Sequence, residues 1–456
     1  MIPQTQQRNR GGTRPRLLQA CVDAFRQPDL RDKLLFTFAL LAVFRFVAAV
    51  PIPNVNSAAL KYIFESSSSA SVLGFLNVFS GGALKQMSVA AMGVYPYITA
   101  SIIMQLLTPM IPRLQALNKE GEQGRNQVQL YTHYLTVPLA IFQGYAQLQI
   151  IHNTTTPSGP AIANVGLTGS SLLPTLAMLA SMLAGTLFLV WLGELITDRG
   201  IGNGISLIIF TGIIAGLPSL LGNVGINGSG VGISRLAILI AVVLVLVMSI
   251  VYFQEAERRV PVQYAKSVFR SGRMYRQSGQ SFIPLKVNAA GMIPLLFAYS
   301  IGIFPGFVAN YFRNSASGVV RNVATGMQTA VDPRGGVYQI FVFILVMGFT
   351  FFYTMVVFQQ QNLAENLQKQ GGFIPGIRPG RPTAEYVTRV VTRITWAGAV
   401  FLAIVSVVPY FATRFTGNTQ FTISATAFLI VVGVVIDTMK QLEAQLLMRN
   451  YEGFIR

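Results

Sequence analysis

Residues 77–122 read NVFSGGALKQMSVAAMGVYPYITASIIMQLLTPMIPRLQALNKEGE, and the way their apolar run is broken decides the architecture. Apolar Val72, Leu73, Phe75, Leu76, Val78 and Phe79 start the stretch like a helix. Ser80, Gly81 and Gly82 break it, and polar Lys85 and Gln86 follow. An apolar run resumes at Met87 and continues to Leu107, with Pro96 inside it. Pro109 and Pro112 end that run ahead of a charged loop carrying Lys119, Glu120, Glu122 and Arg125. Two readings fit. One is an outer loop with a short amphipathic helix ahead of an ordinary span, the commoner arrangement. The other is a half-helix dipping into a cavity, because loose backbone at membrane depth survives only where protein buries it or water lines it.

The rest of the chain places this stretch in a bilayer. Of 456 residues, 52% are hydrophobic and 11% charged, against about 25% charged in soluble domains. The net charge of +18 would suggest nucleic acid on a soluble protein, but in a membrane protein its distribution matters more than its sum. A single cysteine, Cys21, excludes an intrachain disulfide. The basic, polar N-terminus lacks the apolar core and cleavage site of a signal peptide. Residues 1–16 are expected to be disordered and Leu17–Phe25 to form an amphipathic surface helix.

Ten stretches are apolar enough to span: about 33–50, 87–107, 130–151, 172–196, 203–221, 236–253, 288–311, 338–358, 394–412 and 424–447. Lys and Arg concentrate in alternate loops, namely the N-terminus, 108–129, 197–202, 254–287, 359–393 and the C-terminus. The positive-inside rule puts both termini in the cytoplasm. Ten spans with both ends inside divide as five plus five, which makes the halves inverted. The expected organisation is a basic segment at 1–32, an N-terminal half at 33–221, a C-terminal half at 222–448 and a tail at 449–456. The uncharged 222–234 loop is the expected hinge between halves.

Ionisable residues within spans are few. Arg45 reads as a structural charge paired with polar groups or carbonyls; Glu194, Asp198 and Asp437 lie near cytoplasmic ends. His133 and His152 fall near the ends of the third span. No metal-ligand cluster, nucleophile triad, phosphate loop or acid/base pair stands out, so no catalysis and no cofactor are expected. The glycine-rich 200–206 stretch, GIGNGIS, joins two spans without the strand a nucleotide loop needs, and reads as a tight turn.

Two loops on the basic side exceed mere connectors. The first carries Arg258, Arg259, Lys266, Arg270, Arg273, Arg276 and Lys286, with Val260, Val262 and Tyr264 alternating as in a hairpin. The second holds FIPGIRPGRP at 373–382, which proline keeps from being a helix. Charge alone leaves two explanations open: docking of a large anionic partner, or positive residues that only fix orientation.

Several segments in order resemble the SecY family, central subunits of the bacterial protein-conducting channel: FSGGAL, MGVYPYITASIIMQLL, KEGEQGR, WLGELITDRGIGNGISLIIF, AERRVPVQYAK, PLKVNAAGMIP, NLAENLQKQGGFIPGIRPG and IVVGVVIDTMKQ. The likeness runs from the first span to the tenth and is weak at 1–16 and 312–336. It implies an all-α membrane protein with ten transmembrane helices in two inverted five-helix halves around an hourglass pore. Its short plug helix would be about Val72 to Leu84, including Leu76 and Phe79, with Ser80, Gly81 and Gly82 as its hinge. It implies a pore ring of Val94, Ile98, Ile205, Ile209, Leu296 and Ile430, and a lateral gate where spans two and three meet seven and eight. Pro96 and Pro294 are expected to loosen the helices flanking that gate. Arg258, Arg259, Lys266, Arg270, Arg273, Arg378 and Pro379 become docking residues for a SecA motor or a ribosome. Implied partners are SecE-like and SecG-like small subunits, signal peptides, unfolded preproteins and the lipid bilayer. The implied location is the bacterial plasma membrane, with a thylakoid membrane as the alternative.

Physical chemistry agrees with the ring. Branched aliphatics offer no site to water or ions, so a ring of them dewets when empty. Val94 and Ile98 are four apart, as are Ile205 and Ile209, so each pair faces one way on a helix. Two other classes are excluded on weaker grounds. A substrate-specific transporter predicts a carboxylate or convergent polar cluster at mid-membrane, which the spans lack. A poreless scaffold has no need of the glycine-broken stretch.

Arg378 separates docking from orientation. It lies between Pro375 and Pro379, and its planar fork grips carboxylate or phosphate in a way lysine cannot copy. Arg378→Lys keeps the charge, so insertion should be normal while driven translocation into vesicles drops; full activity in the lysine variant would leave orientation as the loop's whole purpose.

Overall fold

Helices dominate a computed structural model of the chain, and each of the ten apolar stretches overlaps one. The structure describes residues 25, 27–65, 77, 80–152, 154, 157, 159–162, 165, 166, 169–225, 233–270, 273–289, 291, 293–312, 318–330, 335–361, 363–416 and 421–452. The expected N-terminal surface helix and nearly all of the expected plug helix, with Leu76 and Phe79, lie outside these residues. The first half comprises α1 (Pro28–Ala49), α2 (Ser57–Glu65), α3 (Tyr95–Met110), α4 (Pro112–Lys119), α5 (Glu122–His152), α6 (Leu172–Arg199) and α7 (Gly204–Gly225). The second comprises α8 (Ile233–Glu255), β1 (Glu257–Arg270), β2 (Arg273–Lys286), α9 (Ile293–Phe312), α10 (Gly318–Ala330), α11 (Gly336–Gln361), α12 (Leu363–Lys369), β3 (Gly372–Phe373), α13 (Arg381–Thr416) and α14 (Phe421–Glu452). Among the described residues, Gly169–Arg199, Gly336–Phe358 and Arg381–Val408 are helices long and apolar enough to cross a membrane.

Packing follows the five-plus-five division. In the first half α3 packs on α5, α5 on α6, α6 on α7, and α1 on both α6 and α7. In the second, α9 packs on α11, α11 on α13, α13 on α14, and α8 on α14. The halves meet along two seams, α7 against α14 and α9 against α3 and α5. The second seam joins spans two and three to span seven, one part of the contact with spans seven and eight that the resemblance implies.

The second span departs from its sequence reading. The apolar run begins at Met87, yet α3 begins at Tyr95, and residues 80–94 form a chain of turns. Met87 has φ 47° and Gly93 φ 57°, conformations that no helix contains. Pro96 therefore occupies the first turn of α3, and Pro294 the second position of α9. Proline there removes no helical hydrogen bond, so neither loosens its helix as expected. The charged 108–129 loop is also mostly helical, as α4 and the start of α5. The expected 222–234 hinge begins as helix, since α7 runs to Gly225. The amphipathic α10 fills much of the 312–336 stretch, where no helix was expected.

The fold is not purely helical. β1 and β2 pair antiparallel from Glu257↔Lys286 to Arg270↔Arg273, a hairpin of 14-residue strands. At ~3.3 Å per residue it reaches some 45 Å from its base. β3 adds to β1 through Gln263↔Phe373 and Tyr264↔Gly372. The two basic loops thus share one sheet. Val260, Val262 and Leu285 of the hairpin base, Leu367, Ile374, Val387 and Val391 form a small core beneath it.

Close helix packing depends on particular glycines. A Cβ on Gly204 would run into the Gly193 carbonyl and sit 2.7 Å from the Ile196 Cβ, whereas one on Gly216 would meet open space. Gly204→Ala should lower the unfolding midpoint in detergent and Gly216→Ala leave it unchanged, as circular dichroism melts would read; equal midpoints would remove the packing argument.

Candidate functional site

The turn segment 80–94 is fastened by hydrogen bonds that start from its sequence. The Asn77 carbonyl accepts from the Gly82 amide at 2.8 Å and from the Ser80 hydroxyl at 3.1 Å. Asn77 Oδ1 accepts from the Lys85 amide at 2.9 Å, and Ser80 Oγ from the Leu84 amide at 3.1 Å. A short bridge, Pro51↔Ser88, runs along the exit from α1, with the Ile52 amide donating to Met87 and the Val89 amide to Val50. Gly81 and Gly82 have φ 69° and 86°, the left-handed region that glycine adopts at no steric cost. A Cβ on Gly81 would sit 2.8 Å from the Gly212 Cα and 3.0 Å from Phe44 Cζ. Arg45 Nη1 donates to the Gly81 carbonyl at 2.8 Å, so the intramembrane charge is paired with a carbonyl as expected.

All six expected ring residues fall in one apolar cluster. Val94, Ile98, Ile209, Leu296 and Ile430 are buried in it and Ile205 packs against it. Their positions on the helices are alike for five of the six. Val94 precedes α3, and its carbonyl accepts the Ile98 amide at 3.0 Å. Ile205 and Ile209 follow the start of α7, and Leu296 is the fourth residue of α9. Asn203 caps α7, accepting the Ser206 amide at 3.1 Å on its side chain. The turn before it is held to α1, where Thr37 Oγ1 accepts the Ile201 amide at 3.2 Å. That turn confirms the tight-turn reading of 200–206.

The α3–α5–α9 seam carries polar contacts within the apolar packing. Gln143 Nε2 donates to Thr99 Oγ1 at 3.3 Å between α5 and α3, and the Tyr95 hydroxyl bonds Ser300 between α3 and α9. Elsewhere His133 Nε2 lies 2.8 Å from Glu194 Oε1, and Gln129 Nε2 donates to the same oxygen at 2.7 Å. His152 Nδ1 lies 2.8 Å from the Ile162 carbonyl. Both histidines thus tie chain segments together.

The expected docking residues divide by position. Arg259 is engaged, with Nε 2.8 Å from Glu257 Oε1 and its guanidinium 4.8 Å from the Phe282 ring centroid. Arg258 and Arg378 are exposed and have no partner among the described residues. Lys266, Arg270 and Arg273 lie on the outer part of the hairpin, with their side chains outside the described residues. Arg378 sits between Gly376 (φ 82°) and Gly380 (φ 101°), its carbonyl accepting the Thr383 hydroxyl at 2.8 Å beside exposed Pro379. Lys369 and Arg381 are paired with Glu365 and Glu385 on their own helices. Asn77, Thr37, Phe44 and Gly212 were missed in the sequence; only the lone Arg45 within an apolar span advertised that something there needed a charge.

A bundle of apolar helices in two packed halves, with an aliphatic cluster where they meet and a broken span before it, defines the class of helical membrane channels. The SecY family model matches residues 88–439. The protein translocase subunit SecY of Streptomyces scabiei is 44% identical over 446 residues, covering 96% of this chain and all of that protein. That of Thermotoga maritima is 40% identical, covering 96% and 98%. The chain belongs to the SecY family. A solved protein-conducting channel superposes with TM-score 0.59 at 15% identity, covering 90% of this chain and 91% of its own. A SecY structure described by its closed-state plug domain gives 0.60 at 16%, and Sec61 from a canine ribosome-channel complex 0.57 at 15%, with the same coverages.

The backbone geometry at the expected hinge changes what alanine does there. Sequence reasoning expects Gly81→Ala and Gly82→Ala to stiffen the hinge and slow opening. With both φ values positive, each alanine instead strains the observed turn, by about 1–2 kcal/mol. Gly82→Ala adds only that strain, since a Cβ there has open space; Gly81→Ala also meets Gly212 and Phe44. Single-channel recording should show more resting openings in Gly81→Ala than in Gly82→Ala; fewer openings in both would favour simple stiffening.

Proposed function

We propose that this chain is the channel-forming subunit of a protein translocase, passing unfolded preproteins across the membrane and releasing apolar segments sideways into lipid. The observation that carries this reading is the single apolar cluster that gathers Val94, Ile98, Ile205 and Ile209 from one half with Leu296 and Ile430 from the other. A pore for unfolded chains cannot select by charge or hydrogen bond. Aliphatic side chains from separate helices close it without binding water, and spread around a bulky chain without adhesion. Ala83 and Ala90, in the turn segment that follows the expected plug, belong to the same cluster, which supports a plug seated beside it.

The α9 seam with α3 and α5 is the proposed lateral gate. Its few hydrogen bonds are weak enough to exchange for lipid contacts yet fix the register of the closed state. The unpaired Arg258 and Arg378, on the shared sheet and its adjoining turn, are proposed to dock a cytoplasmic motor or ribosome, with Pro379 fixing the turn. Lys266, Arg270 and Arg273 extend this surface along the hairpin. SecE-like and SecG-like subunits complete the assembly. The chain itself performs no catalysis: work comes from the docked partner. Both termini face the cytoplasm of a bacterial plasma membrane under this reading.

The ring is tested directly. Ile98→Ser with Ile209→Ser should hydrate the waist and raise resting ion leak in planar bilayers while preprotein transit persists. A double variant as tight as the unsubstituted channel would overturn the ring.

A further inference from the structure

We propose that Arg45, together with the Gly81–Gly212 contact, is the latch that holds the turn segment in its resting seat. This rests on the reading that the segment leaves its seat when the channel opens. Arg45 is the one charged side chain in the apolar body of α1, and a charge there is costly unless it does something. Among the described residues it pairs with no carboxylate; its partner is the Gly81 carbonyl, 2.8 Å away. That carbonyl belongs to a residue with φ 69°, the middle one of the break at Ser80, Gly81 and Gly82.

The same residue is gripped from the other side. Gly81 and Gly212 touch backbone to backbone, and a Cβ on either would collide with the other. Phe44, fully buried beside Arg45 on α1, closes the third side, 3.0 Å from where a Gly81 Cβ would be. The hinge is therefore held between α1 and α7 by one charge-assisted hydrogen bond and one contact that only glycines allow.

This arrangement makes opening depend on what is in the pore. Pulling Gly81 away strands a guanidinium and a carbonyl, which an apolar, dry channel cannot satisfy. Water entering with a substrate, or the backbone carbonyls of an extended chain in transit, supplies Arg45 with substitute acceptors. The latch is firm in the empty channel and cheap to release in the occupied one. Arg45 is thus a positioning residue for gating, acting through Gly81 rather than on the substrate.

The test uses the whole membrane complex in planar bilayers and proteoliposomes. Arg45→Gln should raise resting opening frequency roughly tenfold or more, the lower end of what a hydrogen bond to a charged group is worth. It should also admit a precursor whose signal segment has a shortened apolar core, while normal precursors pass at the usual rate. Arg45→Lys, which keeps a charged donor, should restore most of the resting closure. Gly212→Ala leaves Arg45 intact and should show the same leak; it decides the matter if Arg45→Gln fails to insert. A purely structural role would lower the amount of channel and normal transit together, without relaxed selection. Ala83→Cys, in a chain with Cys21→Ser, separates the two levels. Ala83 is buried, so an impermeant thiol reagent should reach it only during translocation. No extra labelling would remove the moving segment itself. Labelling as expected, with resting openings unchanged in Arg45→Gln and Gly212→Ala, would overturn the latch alone.

Discussion

Fifteen residues of non-helical backbone, 80–94, precede α3 and include the bridge residue Ser88, in a chain whose hydrocarbon surroundings offer no hydrogen bonds. Each amide and carbonyl there must find its partner within the protein, and that requirement shapes the surroundings. Asn77 and Ser80 supply side-chain acceptors, the exit of α1 supplies a strand-like edge, and Arg45 supplies a donor. Glycines at 81, 185 and 212 let helices and turns approach until backbones touch, since Cβ atoms at these positions would overlap neighbouring backbone. A span that began as helix at Met87 would need none of this.

The halves are held together lightly. Each is internally packed over several helix pairs, while among the described residues they meet mainly at the α7–α14 seam, at the α9 contacts and where Leu30 and Ile201 pack on Leu442. The aliphatic cluster bridges these seams, and its side chains attract one another by burial alone, which is non-directional. Such an interface parts without breaking strong bonds. Of the two polar contacts beside the α9 seam, Tyr95 with Ser300 crosses between the halves and adds register rather than strength, while Gln143 with Thr99 joins α5 to α3 within the first half.

Much of this was legible in the chain. Each of the ten apolar runs overlaps a helix, because a bilayer imposes a minimum length that composition records directly. Alternation at Val260, Val262 and Tyr264 announced the hairpin. Spacing of four paired the ring residues on α3 and α7, although their joint cluster came from resemblance and not from any local pattern. The start of α3 was hidden, because hydrophobicity at 87–94 is the same whether the backbone is helical or turned. The partners of Arg45 and Gly81 were hidden because they depend on residues far away in sequence: Arg45 and Gly81 are 36 apart, and Gly212 lies further still. The joining of the two basic loops through β3 was equally unreadable, since a two-residue strand carries no pattern of its own.

The grip on Gly81 has a consequence for how the protein is made. Its three elements, Phe44 with Arg45, the turn itself and Gly212, all belong to the first 225 residues, so the seat can be complete before the second half leaves the ribosome. The aliphatic cluster cannot: Leu296 and Ile430 arrive only with α9 and α14. The bonds that satisfy this irregular backbone therefore ask nothing of the second half, whereas the wall of the aliphatic cluster stays open until α9 and α14 are made.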